Sequence, residues 1–169
     1  MTPAARLEGF TLIEIVLVIT LIGIPAWLAY PSLGSINEIR LDAAARRVAS
    51  DLRYAQNRAI GSRTIHGVRF DVAAGRYIVY AGTSATAVVN PAERGKTLAV
   101  SFASFSEMRG VTIESAAFGS TPGVTFDYYG VPRDTAGVEL SSPGRVVLLF
   151  QGLRDTVAVA PQTGVIRVP

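Results

Sequence analysis

The sequence predicts an α+β fold in which a long N-terminal helix, apolar at first and amphipathic afterwards, packs on an antiparallel β-sheet domain. Three patterns predict it. Residues 10–35 are almost entirely apolar, residues 36–62 carry apolar side chains spaced by three and four, and residues 63–169 alternate with a period of two between turn residues. We therefore expect a helix over the first two segments and strands over the third.

The apolar segment is long enough to span a bilayer. No charged side chain lies between Ile15 and Asn37, and about 20 apolar residues suffice for a membrane-spanning helix. A secretory signal peptide, an ordinary membrane anchor and a prepilin segment are the three alternatives. A secretory signal ends in a small-residue A-x-A site, which does not follow this segment, and Glu14 costs an ordinary anchor about 2.5–3.5 kcal/mol on insertion scales. We expect membrane insertion and a functional role for Glu14.

Residues 9–14, Gly-Phe-Thr-Leu-Ile-Glu, resemble the processing motif of type IV pilin-like proteins. The resemblance implies that residues 1–9 are a leader peptide and that a prepilin peptidase cleaves between Gly9 and Phe10. It also implies N-methylation of Phe10. Glu8 departs from the family pattern, because a basic residue is more usual at this position.

The same resemblance implies that Glu14, the fifth residue after the cut, acts in assembly. A carboxylate in an apolar helix is tolerated when it is paired, and the Phe10 ammonium of a neighbouring subunit would be a suitable partner at a fixed axial offset. Gly23 and Pro31 match positions where these helices bend, and Pro25 and Pro31 each remove a backbone donor. We expect kinks at these three positions.

The amphipathic segment reads as a helix that ends at Gly61-Ser62. Its basic side chains lie mostly off the apolar stripe, and we expect them to be solvated and partly paired with Asp42 and Asp51; an anionic partner is the alternative. The stripe is rich in alanine, which predicts close packing on a sheet. Its members are Leu41, Ala45, Val48, Leu52, Ala55 and Ala59.

The C-terminal two-thirds predict an antiparallel β domain, with a loop over residues 83–97 and a turn at Gly130-Val131-Pro132. The strand candidates are residues 68–72, 77–80, 98–102, 111–114, 124–128, 138–140, 146–150, 156–160 and 165–168. A second, looser resemblance is to the GspH/FimT family of minor pseudopilins and minor pilins. It rests on residues 52–60, 124–130, 146–148, 157–159 and 163–167.

No motif for catalysis, cofactor binding or metal binding is present, and we predict that the protein is not an enzyme. The chain has no cysteine and a single histidine, His66, which we expect to be structural or exposed. No nucleotide-binding loop and no zinc motif occurs. Asp127, Asp134 and Asp155 are candidate oxygen ligands for calcium, but their spacing matches no known loop.

The predicted function is therefore structural. The resemblances imply a minor pseudopilin or minor pilin that primes or caps a type II secretion pseudopilus or a type IV pilus. The expected partners are other pilin or pseudopilin subunits, the prepilin peptidase, the inner-membrane assembly platform and the lipid bilayer. The expected location is the bacterial inner membrane, with a single span and a periplasmic domain, before extraction into a filament.

Two alternatives remain. One is a minor pilin that binds DNA for natural transformation, for which Arg145, Arg154 and Arg167 would have to converge in space. The net charge of +3 is too small to indicate nucleic-acid binding by itself, so DNA is a less favoured partner. The other alternative is a major pilin, against which the absence of a cysteine pair argues.

Overall fold

The computed structural model describes four stretches of the chain: residues 10–29, 32–82, 86–93 and 95–168. Within these stretches, the side chains of residues 24–29 and 32–35 are not described. The chain divides into two compact units, Met1–Ile36 and Asn37–Pro169. The predicted leader and Pro31 lie outside the described residues.

Helix α1 covers Leu12–Ala29 and contains both Gly23 and Pro25. Its first turn is closed by Thr11, whose backbone and side-chain oxygens both accept from the Glu14 backbone N–H. This is the usual role of a threonine at a helix start. Within the helical residues that the structure describes, neither helix is both long enough and apolar enough to cross a membrane.

Helix α2 covers Ser32–Ser62, and all six residues of the predicted apolar stripe are buried. Ala44 and Ala49 are also fully buried and widen the stripe. The helix ends because Arg63 takes a left-handed conformation with φ of 54°, a common way of closing a helix. The helix therefore ends where the sequence predicts, but the residue in the left-handed conformation is Arg63 and not Gly61.

The described residues of the second unit form ten strands in two antiparallel sheets. The strands are β1 His66–Asp71, β2 Arg76–Ala81, β3 Thr86–Ala87, β4 Ala99–Ser101, β5 Thr112–Ala117, β6 Gly123–Phe126, β7 Pro132–Asp134, β8 Gly144–Phe150, β9 Leu153–Val159 and β10 Ile166–Arg167. One sheet has the order β3-β2-β1-β6-β7, with β4 also paired to β2. The other has the order β10-β9-β8-β5.

Three predictions for the β domain, one strand, one turn and one loop, need correction. The predicted strand over residues 138–140 is wrong, since the described structure shows only a single bridge there, between Arg133 and Glu139. The predicted turn at Gly130-Val131-Pro132 instead leads into β7, which begins at Pro132. Proline is tolerated there because β7 lies at the edge of its sheet, where a missing N–H breaks no ladder bond. The predicted loop over residues 83–97 contains the short strand β3.

A single hydrophobic cluster joins the stripe of α2 to both sheets. On β8 the buried residues Val146, Leu148 and Phe150 alternate with residues that are exposed or half-buried. Phe70 stacks on Phe118 with ring centroids 5.8 Å apart and connects the two sheets inside this cluster. The α+β prediction is confirmed.

One buried polar contact ties α2 to the six-stranded sheet. The Tyr77 hydroxyl donates to an Asp51 carboxylate oxygen at 2.7 Å, and the Arg47 Nε donates to the same oxygen at 3.0 Å. The Arg47 guanidinium also lies 5.6 Å from the centre of the Phe105 ring. The buried carboxylate is therefore both hydrogen-bonded and paired, which offsets the cost of its burial.

Replacing Tyr77 with Phe should reduce the loss of stability that we expect above pH 10. Burial, followed by the neighbouring Asp51 carboxylate, raises the pKa of Tyr77 well above its ordinary value, whereas tyrosine in the unfolded chain titrates near about 10. A raised native pKa means that this contribution to stability is fully present below about pH 10 and is lost as the pH rises further.

The measurement is urea unfolding of the full chain in detergent micelles between pH 8 and 11. The free energy of unfolding of Tyr77→Phe should be lower by about 1–3 kcal/mol at pH 8, and should fall less steeply with pH than that of the wild type. Tyr129→Phe is the matched control, because Tyr129 is 74% exposed. Identical slopes for Tyr77→Phe and the wild type would contradict the prediction.

Candidate functional site

The first described residues form an exposed apolar surface. Every residue from Phe10 to Gly23 is exposed, and Glu14 is the one charged residue among them. Phe10 is 76% and Leu12 82% exposed. Since apolar side chains surround this part of α1 on all sides, it needs an apolar environment or partner to cover it.

Thr11 has a local role that the sequence reading did not identify. Its side chain caps the start of α1 by accepting from the Glu14 backbone N–H at 3.3 Å, and Thr11 and Glu14 have the Thr-x-x-Glu spacing of a capping box. A negative charge in the first turn is also favourable beside the helix dipole. Among the described residues no cation pairs with the Glu14 carboxylate, which leaves it open to a partner outside the chain.

The remaining N-terminal site residues are only partly described. Gly9 and Pro31 lie outside the described residues. Gly23 and Pro25 lie within the continuous helix α1, and no atom lies within 4 Å of the position that a Gly23 Cβ would take. Cleavage, methylation and bending at these positions stay predictions.

Two of the three predicted arginines come together on the outer face of the four-stranded sheet. Arg145 on β8 and Arg167 on β10 both pair in register with Ala158 on the strand between them. Both are exposed and line one shallow groove, whose other described lining residues are Pro143, Ala158, Ala160 and Val165. The topology therefore places two guanidinium groups around a small apolar floor.

Arg154 does not join this pair. Its Nε and Nη2 donate to the two carboxylate oxygens of Glu114 at 2.7 and 2.8 Å. The Arg154 hydrogen bonds lower the pKa of the Glu114 carboxyl. Glu114 lies where the register of β5 against β8 shifts, between Ile113 and Ser115, an irregularity that no local sequence pattern predicts.

The arginines of α2 are largely used within the chain. Arg46 pairs with Asp42 at 2.8 Å and Arg47 with Asp51 at 3.0 Å, so the predicted pairing with these two aspartates is confirmed. Arg53 donates to the Ile166 carbonyl at 2.9 Å. Carboxylates thus neutralise two of the five α2 arginines, whereas Arg40 and Arg58 form no ion pair among the described residues.

The C-terminal segment that carries Arg167 is held by α2. Gln56 donates through Nε2 to the Gly130 carbonyl at 3.0 Å and lies near the Thr163 carbonyl. Gly164, which has a φ of +65°, lies so close to the Gln56 side chain that a Cβ on this residue would be 2.4 Å from Gln56 Nε2. Sequence reading missed this contact, because Gln56 and Gly164 are far apart in the chain.

The predicted calcium candidates serve the backbone instead. The Val138 and Ala136 N–H groups donate to Asp134, and these bonds, the Val138 one above all, lower the pKa of its carboxyl. Asp127 accepts from the Tyr129 and Val131 N–H groups. Among the described residues, no group of three or more histidine, aspartate or glutamate side chains is placed to hold a metal ion.

His66, the single histidine, is buried. Its Nδ1 lies 3.0 Å from the Thr64 carbonyl oxygen and within reach of the Thr64 hydroxyl. These contacts fix the ring at the start of β1. The structure thus gives His66 a position in the protein interior.

Comparison with known proteins shows to which family this chain belongs. No family model matches the chain. The pilin-like protein PilA1 of Thermus thermophilus is 32% identical over 151 residues, which make up 86% of this chain and 95% of that protein. The chain belongs to the pilin-like proteins. The resemblance seen in the N-terminal motif is thereby confirmed at the level of the family.

Solved structures agree with the pilin-like fold. The minor pseudopilin EpsH from the type 2 secretion system of Vibrio cholerae matches with a TM-score of 0.54 at 13% identity, over 77% of this chain and 95% of that one. The type IV minor pilin FimU of Pseudomonas aeruginosa matches with a TM-score of 0.50 at 14% identity, over 76% and 92% of the two chains. At such low identity these matches concern the fold alone.

Replacing Gly164 with Ala should loosen the C-terminal strand of this pilin-like protein. The new Cβ would collide with Gln56 Nε2 and would lie 2.6 Å from the Gly130 carbonyl oxygen. We expect the free energy of unfolding, measured by urea unfolding, to fall by about 1–3 kcal/mol more than the strain of the left-handed backbone alone would cause.

Gly75→Ala measures that strain by itself. Gly75 has a similar φ of +58°, and no atom lies within 4 Å of its Cβ position. Alanine costs roughly 1–2 kcal/mol in this left-handed conformation. Equal losses of stability in the two variants would contradict the prediction, because the added Cβ would then cost nothing beyond the backbone strain.

Proposed function

We propose that this pilin-like protein is a minor pseudopilin or minor pilin that enters a filament through its N-terminal helix. The observation that carries the proposal is the exposed apolar start of α1, in which the Glu14 carboxylate has no cationic partner among the described residues. A helix of this kind is covered by a bilayer before assembly and by the helices of neighbouring subunits afterwards.

Processing would create the partner that Glu14 lacks. Cleavage after Gly9 exposes the α-amino group of Phe10, which stays cationic when it is N-methylated. In an apolar filament core, this ammonium of one subunit and the Glu14 carboxylate of the next attract each other strongly. The two residues are four positions apart, about 6 Å along a helix, so that the pairing sets the axial offset between subunits.

The proposed location and partners follow from this assembly route. The chain resides in the bacterial inner membrane with its second unit in the periplasm, and the prepilin peptidase and an assembly platform act on it there. It serves as an initiating or tip subunit, in a type II secretion pseudopilus or in a type IV pilus. No step of this role needs a cofactor or a catalytic residue.

Replacing Glu14 with Gln tests the assembly role. Glutamine keeps the capping-box side chain at the third helical position but removes the charge that would pair with Phe10. We expect the full-length variant to be cut normally, with an intact mass that fits a chain starting at methylated Phe10, and to fall by about 10-fold or more in purified filaments, since breaking a buried pair costs about 3–5 kcal/mol.

Glu14→Asp is the matched control, because it keeps the charge on a shorter side chain and should retain more assembly than Glu14→Gln. Filaments that contain as much Glu14→Gln as wild-type protein would contradict the charge pairing. A wild-type chain that still begins at Met1 in cells with an active prepilin peptidase would contradict the whole proposal.

A second candidate function is DNA binding, favoured by the approach of Arg145 and Arg167 on one sheet face. The supporting charge is small, because Arg154 is neutralised by Glu114. Two cations flanking a groove would hold two phosphates of a nucleic-acid backbone without reading its sequence. This function would operate on an assembled filament and does not replace the first.

The double variant Arg145→Gln, Arg167→Gln tests this second function. If both side chains contact phosphates, the slope of log affinity against log salt concentration should fall by about 2, as measured by fluorescence anisotropy with labelled duplex DNA. Arg154→Gln removes a paired arginine from the same sheet face and should leave the slope unchanged. An absence of wild-type binding, or an equal effect of Arg154→Gln, would exclude the groove as a DNA site.

A further inference from the structure

A small cavity lies on the outer face of the six-stranded sheet, away from the arginine groove. Its volume is about 160 Å³, and it opens between the β1–β2 hairpin and the turn that follows β7. This is smaller than a site for a drug-sized ligand, and it suits a group of a few heavy atoms. Its lining residues are Ile65, Arg69, Tyr80, Gly82, Thr125, Thr135, Ala136 and Gly137.

Tyr80 forms the floor of this cavity. Its side chain lies across Gly67 on the neighbouring strand, where a Cβ would be 2.9 Å from the Tyr80 hydroxyl oxygen and 2.6 Å from the Val124 carbonyl oxygen. Only glycine at position 67 therefore leaves room for the ring. Tyr80 is consequently 98% buried although it faces away from the core (2% exposed).

The Tyr80 hydroxyl makes no hydrogen bond with any described residue. No side-chain polar atom of the described residues is both fully buried and without a partner, so this hydroxyl must face the open space of the cavity. Burial raises the pKa of Tyr80, and a tyrosine hydroxyl is protonated at neutral pH even at its ordinary pKa of about 10, so it is able to donate. The hydroxyl is therefore free to donate a hydrogen bond to a group that enters the cavity.

Arg69 supplies a positive charge at the same place. Its guanidinium lies 5.5 Å from the centre of the Tyr80 ring. No acidic side chain of the described residues pairs with it. The nearest acid on its own strand, Asp71, is already paired with Arg76 at 3.2 Å.

We propose that this cavity binds the carboxylate of a small monoanion with a short alkyl stem, either a free acid or an acidic side chain of another protein. The planar guanidinium of Arg69 matches a carboxylate in shape and charge, and the Tyr80 hydroxyl donates a further hydrogen bond. The Tyr80 ring and Ile65 contact the stem.

A phosphate group fits less well, since it carries about −1.5 to −2 charges at pH 7 and the cavity has one arginine. This site does not depend on the filament role, because it lies entirely within the second unit.

The test is a titration of the 15N-labelled full chain in detergent micelles with sodium butyrate, followed by two-dimensional amide NMR. We expect the signals of Gly82, Thr135 and Gly137 to shift and saturate with butyrate but not with sodium chloride at equal ionic strength. Arg69→Gln should weaken the apparent affinity about 10-fold or more, and Tyr80→Phe by about 3- to 10-fold.

Arg109→Gln is the control. Arg109 is exposed and lies outside the cavity, and its loss should leave the butyrate affinity unchanged. The same spectra show whether each variant is folded. Non-saturating shifts in the wild type, or equal affinity in folded Arg69→Gln, would overturn the site.

Two further ligands define the chemistry. Inorganic phosphate that binds as tightly as butyrate would overturn the assignment to carboxylates. Binding of N-acetyl-glutamate amide at the same signals would support the proposal and assign the site to acidic side chains of partner proteins. Binding of butyrate alone would support it and assign the site to free acids.

Discussion

The burial of one alanine-rich helix face is the constraint on which the second unit depends. Ala44, Ala45 and Ala49 are fully buried in the cluster that includes both sheets. Alanine loses little side-chain entropy and lets strands approach the helix closely, so the stripe favours both the helix and its packing. The contacts of Arg53 with the Ile166 carbonyl and of Gln56 with the Gly130 carbonyl exist because this face is held in place.

The two units differ in how much of their apolar surface is buried within the chain. The second unit buries its large side chains in one continuous core, as a stable domain must. The described start of α1 leaves Phe10 and Leu12 exposed, and its single charge near the helix start is the Glu14 carboxylate. Such a segment is stable only when something else covers it, which explains why an assembly function follows from the physics of α1 and not from any pocket of the second unit.

The positive charge of the chain is divided among three kinds of environment. Arg46, Arg47 and Arg154 are neutralised by carboxylates of the same chain. Arg145 and Arg167 face solvent together on the four-stranded sheet. Arg69 has no acidic partner among the described residues and lies over the ring of Tyr80, whose hydroxyl makes no hydrogen bond with a described residue. The net charge of the chain does not show how the surroundings of these arginines differ, because the interaction energy of a charge depends on the groups within a few ångströms of it.

The sequence by itself determined the family motif around Glu14, the helix with its apolar stripe, and the α+β class, since these are read from neighbouring residues with fixed periods. It did not predict β7 at Pro132, the Thr11 cap of α1, or the contacts of the three arginines. Arg154 meets Glu114 across 40 positions, and Arg145 meets Arg167 through the strand between them. Such contacts, like the cavity under Arg69, were decided only by the tertiary structure, because strand order and register bring together side chains that no local period relates.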